Sequence, residues 1–262
     1  NIEKATENTD RPFAVNIPLL RPDAEDIGRL ALELGARVFI TSAGNPARIV
    51  PVLKQEGVKL LHVVPSVKGA LKAQKEGADA VICEGYEAGG HDSPLETTTL
   101  ALVPQVTDAV DIPVVAAGGI ADGRGIAAVM TLGADGAQLG TRFIATHECN
   151  AHDNYKNALV NASDGDTCII GRSFLMLRVL KTPFAQKMLE MEASGASVEE
   201  LQKLLKSEGS RNMAGSIMGD TAGGTLQAGQ SSGIVRAKLP ASERVRRLVE
   251  EYENARTGLR PL

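Results

Sequence analysis

From Phe13 to Leu139, short apolar runs alternate with helix-period stretches, and this alternation constrains the fold more than any other feature of the chain. The first run, Phe13 to Leu20, is followed by Ile27, Leu30, Ala31 and Leu34 at i, i+3, i+4 and i+7, one face of a helix, and Gly35 supplies a left-handed stop. The same unit recurs as strand Val38–Thr41 with helix Pro46–Glu56, strand Leu60–Val64 with helix Ser66–Glu76, and strand Ala80–Cys83 with helix Thr98–Val110 after a long loop. Strand Val114–Ala117 leads to a helix over Gly123–Leu132, and strand Ala137–Leu139 closes the series. Strand-then-helix order is that of βαβ units, and strands apolar throughout suit a parallel sheet covered on both faces.

Beyond Phe143 the pattern turns helical. Asn154–Ala162 reads as a helix, Thr182-Pro183 caps another that runs to Met191, and Ser197 with Glu200 has capping-box spacing ahead of Leu201, Leu204 and Leu205. A Gly-rich stretch from Gly223 to Gly233 precedes a last amphipathic helix with Val245, Leu248, Val249 and Tyr252 on its apolar face and Arg244, Arg246 and Arg247 on its solvated one. Three segments are expected: a barrel over 1–145, a small helical subdomain over 146–226 that covers the substrate, and 227–262 returning to the barrel.

Charge and composition exclude several partners. Lys plus Arg number 28 against 32 Asp plus Glu, so neither nucleic acid nor an acidic membrane surface is expected to bind. Trp is absent and aromatics make up 3%, which removes stacking platforms for single strands. No apolar run has the roughly 18–20 residues of a membrane helix. Cys83, Cys149 and Cys168 imply no disulfide framework, and a reducing cytoplasm is the expected compartment. His147, Cys149 and His152 lack a fourth ligand at zinc-site spacing, so no metal is expected. His62 and Cys83, each inside a strand pattern, read as structural.

Two glycine loops carry the first chemical signal. Ala116-Ala117-Gly118-Gly119-Ile120-Ala121-Asp122-Gly123 follows one strand and opens a helix; Leu139-Gly140-Thr141-Arg142 follows the next strand. Paired glycines let backbone N–H groups approach an anion, and a helix N-terminus adds partial positive charge. In (β/α)8 barrels the loops after the last two strands form the recurrent phosphate site. Tight βα turns alone would explain either loop; two on adjacent strands favour the anion. Glu84 ends a strand at the catalytic rim of such a fold, and His91 follows the flexible Gly89-Gly90 pair, where an imidazole can exchange a proton near neutral pH.

Three motifs in order, Glu87-Ala88-Gly89-Gly90-His91, Ala116 to Gly123, and Gly140-Thr141-Arg142-Phe143, resemble those of the nitronate monooxygenase/FMN-dependent enoyl-ACP reductase II family. Weaker likeness comes from Phe13-Ala14-Val15-Asn16-Ile17, Ala43-Gly44-Asn45-Pro46, Asn150-Ala151-His152 and Ala228-Gly229-Gln230. The resemblance implies a TIM-type (β/α)8 barrel holding FMN non-covalently, often as a homodimer, with NADH or NADPH as co-substrate and a small-molecule or acyl-carrier-linked substrate. It places Gly118, Gly119, Gly140 and Thr141 at the phosphate. Gly89 is assigned beside the cofactor, Asn16 and Glu84 near the flavin ring and ribityl chain, and His91 in catalysis. Glu-Ala-Gly-Gly-His and Ala-Ala-Gly-Gly-Ile, with Arg178 to Ala185, resemble the reductase side, whereas Phe174-Leu175-Met176-Leu177 departs from the family's loop. Nitronate oxidation and a non-redox phosphate-binding barrel stand as alternatives.

The resemblance also carries an expectation about extent. Roughly six barrel strands are legible, and the last two loops match strands seven and eight. Phe13 to Leu20 then counts as strand three and Asn1–Thr9 as the tail of the second helix. The first two strands are therefore expected to be absent from this chain and to precede Asn1 in the functional protein. An open doubly wound sheet is the alternative.

Overall fold

The computed structural model describes residues 2–55, 57–206 and 210–258. Helix α1 (Ile2–Asn8) precedes a series of parallel strands, β1 (Ala14–Pro18), β2 (Val38–Ser42), β3 (Lys59–Val64) and β4 (Ala80–Glu84), connected by α2 (Ala24–Glu33), α3 (Val50–Leu53) and α4 (Val67–Lys75). The two-residue strand β5 (Gly90–His91) leaves the sheet. After it come α5 (Thr99–Thr107), β6 (Val114–Ala117), α6 (Gly123–Thr131), β7 (Gly136–Gln138) and α7 (Thr141–Ile144). The main sheet has six strands in the order β1-β2-β3-β4-β6-β7, every pairing parallel, with β1 and β7 at its edges. The helix expected over Pro46–Glu56 divides into a 3-10 turn, Pro46–Arg48, and α3. Asn1 and Glu56, outer limits of two expected helices, lie outside the described residues.

Helices α2, α4 and α6 end alike. Gly35, Gly77 and Gly133 adopt φ of 91°, 94° and 98°, and the next residue donates back to the final turn: Ala36 to Ala31 at 2.9 Å, Ala78 to Ala73 at 3.0 Å, Ala134 to Val129 at 3.1 Å. This is the Schellman stop, and only glycine takes that φ without strain. After two of these stops an aspartate binds the adjoining strand: Asp79 accepts from Leu60 N at 2.8 Å and Asp135 from Val114 N at 2.9 Å. The carboxylate satisfies a free donor at the start of the strand, so the same three-residue device ends a helix and ties down the strand beside it.

Side chains alternate across the sheet. Ile17, Phe39 and Leu60, then Val64, Val81, Cys83, Val114 and Ala116, face the helices and form two contiguous apolar clusters with them. His62 shares that parity. It is buried against Thr41, Nδ1 to Oγ1 2.8 Å, and burial pushes its pKa down to about 4, so it is a neutral structural residue. Burial lifts the Cys83 thiol to about 11. The opposite, concave face carries Asn16, Ile40, Leu61, Ile82, Glu84, Ala117 and Gln138.

The segment expected to be helical over 146–226 also contains an antiparallel hairpin, β8 (Thr167–Ile170) and β9 (Leu177–Leu180), between α8 (Asp153–Val160) and α9 (Pro183–Ala193). Strand β5 extends it, Gly90 pairing Arg178 and His91 pairing Leu177. The long loop after β4 is thereby stitched to the appended layer, which continues through α10 (Val198–Lys206) and α11 (Arg211–Ser216). The final helix, α12 (Ala241–Thr257), packs along α6. Arg244, expected on its solvated face, is instead buried and lies 3.5 Å from Glu251. No helix among the described residues is long and apolar enough to cross a membrane.

Candidate functional site

Register places the site before any side-chain contact is considered. Glu84 pairs Ala117, and Ala117 pairs Gln138, so three residues on adjacent strands stand level at the C-terminal rim of the concave face. The loops that continue from these strands close around a cavity of about 240 Å³. It is lined by Glu84, Gly89, Gly118, Gly119, Gly140 and Thr141, together with Glu87, Gln138, Gln227 and Ser231.

The loops are fixed by close backbone packing. Gly118 and Gly119 adopt φ of 92° and 72°, and a Cβ on Gly118 would lie 2.6 Å from Gly85 O. Thr99 N donates to Glu87 Oε2 at 2.8 Å, so the Glu87 carboxylate caps α5; the Thr99 hydroxyl lies 2.9 Å from Gly118 O. A strap from the C-terminal segment crosses both loops: Gly229 N donates to Thr141 Oγ1 at 2.9 Å and Gln230 N to Glu87 O at 2.9 Å. Gly89 touches the strap so closely that a Cβ would sit 2.5 Å from Gly229 N.

The donors suit an anion. Among the described residues, the N–H groups of Gly118, Gly119, Gly140 and Thr141 donate no hydrogen bond within the protein. Because Thr141 Oγ1 accepts from Gly229, its own proton is free to donate. A Cβ on Gly140 would meet nothing within 4 Å, so this glycine opens onto free space rather than packed protein. Among the described residues no Lys or Arg lines the cavity, and an anion there would rest on oriented N–H dipoles.

One expected contributor is excluded. The N-terminus of α6 is filled from within: Asp122 accepts from Arg124 N and Gly125 N, and Glu251 of α12 accepts from Gly123 N at 3.0 Å. Two carboxylates already occupy the positive end of that helix, so the glycine loops, not the helix behind them, present the donors.

Two expected site residues lie apart from this cavity. Asn16 lies exposed on edge strand β1 and is not among the cavity's lining residues, because β2 and β3 separate that strand from β4. His91 does not enter the glycine-lined cavity. It opens instead onto an adjoining one of about 510 Å³, with Leu175, Leu177, Leu205, Arg211, Thr225 and Gln227. Pairing with β9 turns the His91 side chain to this side, and burial lowers its pKa below the ordinary 6.5.

The carboxyl groups at the floor are unusual. Burial raises Glu84 to about 7. Asp92 is also raised to about 7, by burial first, with Glu84 and Glu87 adding repulsion against the pull of Arg178. Carboxyls that hold protons near neutrality are the kind that serve acid–base chemistry.

Comparison with known proteins follows this geometry. The nitronate monooxygenase family profile matches residues 1–251. The chain belongs to the nitronate monooxygenase family. FabK from Thermotoga maritima superposes with a TM-score of 0.91 at 39% identity, covering 98% of this chain and 81% of that one. Nitroalkane oxidase from Streptomyces ansochromogenes gives 0.79 at 31% identity, over 99% and 85%. The curled six-stranded parallel sheet is a half-barrel, and these neighbours are TIM-type barrels. Among sequence relatives, a (3aS,4S,5R,7aS)-5-hydroxy-7a-methyl-1-oxo-octahydro-1H-indene-4-carboxyl-CoA dehydrogenase from Rhodococcus jostii is 41% identical over 168 residues, 64% of this chain and 47% of the relative. A probable nitronate monooxygenase from Staphylococcus saprophyticus is 36% identical over 173 residues, 61% and 49%. The chain spans about half the length of the curated relatives it matches.

Sequence reasoning assigned no role to Gln138 or Gln227. A polar residue interrupting the apolar run Ala137–Leu139 was the available signal for Gln138. Gln227 had none, since it reaches the site only through the strap's tertiary path.

Proposed function

We propose that the chain is the cofactor-binding part of an FMN-dependent oxidoreductase that reduces an enoyl thioester at the expense of NADH or NADPH. The observation that carries this reading is the pair of glycine loops with unused N–H donors, facing one cavity that adjoins a second one bearing His91. At about 240 Å³ the first cavity is below the roughly 300–1,000 Å³ typical of a whole ligand site, so the fit is to the phosphate end of the cofactor. Gly118, Gly119, Gly140 and Thr141 would hold that phosphate; Glu84 and Gln138 stand on the sheet floor beside it.

When bound, FMN supplies the two-electron redox chemistry. The protein's own part is binding, orientation and proton handling. The strap through Gly229 and Gln230 ties the Gly140-Thr141 loop to the loop that carries Glu87. With its pKa raised to about 7 by burial, Glu84 carries only part of a negative charge at neutral pH. His91, neutral at that pH, presents an imidazole nitrogen to the second cavity, where it can accept or pass on a proton.

The thioester reading draws on the Glu-Ala-Gly-Gly-His and Ala-Ala-Gly-Gly-Ile wording, on the likeness to FabK, an enoyl-ACP reductase II, and on a relative whose name specifies a carboxyl-CoA substrate. A second reading, nitronate oxidation, is supported by the relatives that carry that name. Stopped-flow mixing separates the two: the reduced, FMN-loaded protein with crotonyl thioester in the absence of oxygen, and the oxidised, FMN-loaded protein with a nitronate. Reoxidation by the thioester supports the reductase. Reduction of the flavin by the nitronate with no reoxidation by the thioester overturns it, and failure to bind FMN overturns both.

A further inference from the structure

The two cavities share one lining residue among those described, Gln227. Its backbone is held on three sides. The buried Tyr155 hydroxyl donates to Gln227 O, Val179 of β9 pairs with Gln227 as an antiparallel bridge, and Leu180 N donates to Leu226 O at 2.8 Å. Two residues on, Gly229 N is tied to Thr141 Oγ1. The Cα of Gln227 therefore cannot move without disturbing both β9 and the phosphate loop.

Its side chain is different. The carboxamide makes no hydrogen bond within the protein among the described residues, although the residue is half-buried. Oε1 comes within 3.3 Å of the position a Cβ would take on Gly90, the residue before His91. An unengaged amide on a fixed backbone, at the boundary between cofactor cavity and histidine cavity, has two N–H donors to offer a ligand that crosses that boundary.

Resting on the function proposed above, the substrate occupies the histidine cavity and meets the cofactor, which extends from the glycine-lined one, at the boundary between them. We propose that Gln227 orients this substrate by donating an Nε2–H to the oxygen conjugated with the reacting carbon, a thioester carbonyl or a nitronate oxygen. Both are sp² oxygens carrying partial or full negative charge, and a neutral amide donor suits either. Gln227 is thus a substrate-contacting residue that fixes which face and which atom of the substrate meet the cofactor.

The test uses the full chain loaded with FMN, oxidised for the thioester probe and reduced under anaerobic conditions for the nitronate probe, so that binding is read without turnover. Crotonyl-N-acetylcysteamine thioester and propyl nitronate are the two probes, followed by perturbation of the flavin absorbance and by calorimetry. Gln227→Leu removes the donor, and the isosteric Gln227→Glu replaces it with an acceptor that repels the same oxygen. Both are expected to weaken the recognised probe roughly 5- to 10-fold, the loss of one neutral hydrogen bond, with FMN affinity and melting temperature unchanged. The probe that weakens identifies the substrate class. Undiminished binding of both probes in either variant overturns the assignment. Failure of the unmodified chain to bind FMN overturns the underlying function instead, and the two failures are read in separate titrations.

Discussion

Arg178 Nε lies 3.3 Å from Asp92 Oδ2, with the two side chains 4% and 2% exposed. The same guanidinium stacks 4.6 Å above the Tyr86 ring and donates to Tyr86 O at 2.9 Å. One arginine on β9 thus fastens both ends of the segment that carries Glu87 and His91.

Removing the cation should therefore destabilise the protein in a pH-dependent way. Arg178→Met leaves a buried carboxylate without its partner, a change that costs about 3–5 kcal/mol when the charge cannot neutralise. Asp92 already has a raised pKa, and losing Arg178 raises it further, so at low pH the group takes a proton and the penalty shrinks. Urea unfolding should show a larger loss at pH 8 than at pH 6. Equal losses at both would mean that the pair does not behave as a buried ion pair.

Glu84 makes a second pH-linked prediction. Its folded pKa, about 7, lies above the ordinary 4.5, so between those values the folded state binds more protons than the unfolded one. Stability then falls as pH rises through that window. Glu84→Gln should flatten this slope and make the variant relatively more stable at pH 8. A variant whose pH profile parallels the parent would place the proton elsewhere.

The two glycine loops can be separated by substitution. Gly118→Ala forces a side chain into φ of 92° and into contact with Gly85 O, and should cost about 1–3 kcal/mol or prevent folding. Gly140→Ala faces open space at φ of −96°, so it should fold with a near-parental melting temperature. If a phosphate occupies that space, flavin affinity drops sharply in Gly140→Ala, as read by fluorescence titration. Retained affinity would remove Gly140 from the cradle.

Glu251 offers a test of which element meets the anion. Glu251→Ala frees the Gly123 N–H and deprives buried Arg244 of its partner, at a cost of about 1–3 kcal/mol. Flavin affinity should not change, because α6 points its N-terminus at protein carboxylates. Tighter binding would show that the helix end does act on the ligand.

His91→Ala should keep the cofactor, since His91 opens onto the other cavity, yet lose about 10²- to 10⁴-fold in turnover with the preferred acceptor. An unchanged turnover number would take His91 out of proton transfer.

The parallel strands were legible because each is a run of apolar residues, and β2, β4 and β7 follow a glycine stop that ends the preceding helix, a purely local signal. The glycine loops were legible for the same reason. Thr167–Ile170 and Leu177–Leu180 were not, since a four-residue apolar stretch reads equally well as part of a helix until its partner strand is known. The second carboxylate at the start of α6 comes from Glu251, 128 positions from Gly123, and the same Glu251 pairs with buried Arg244. The separation of His91 from the glycine loops likewise follows from its pairing with Leu177, and the distance of Asn16 from them follows from strand order.

The bond from Gly229 to Thr141 spans 88 positions, and the strap reaches further back to Glu87. The glycine loops are local objects, but the enclosed cavity is not: it exists only once three distant stretches of chain have met. Contacts of such sequence separation carry a loop-closure entropy that slows their formation. In refolding, the parallel strands can assemble before the strap arrives, and the cavity is completed late. A ligand that needs the finished enclosure would then report the final stage of folding, whereas the burial of Phe39 and Leu60 would report an earlier one.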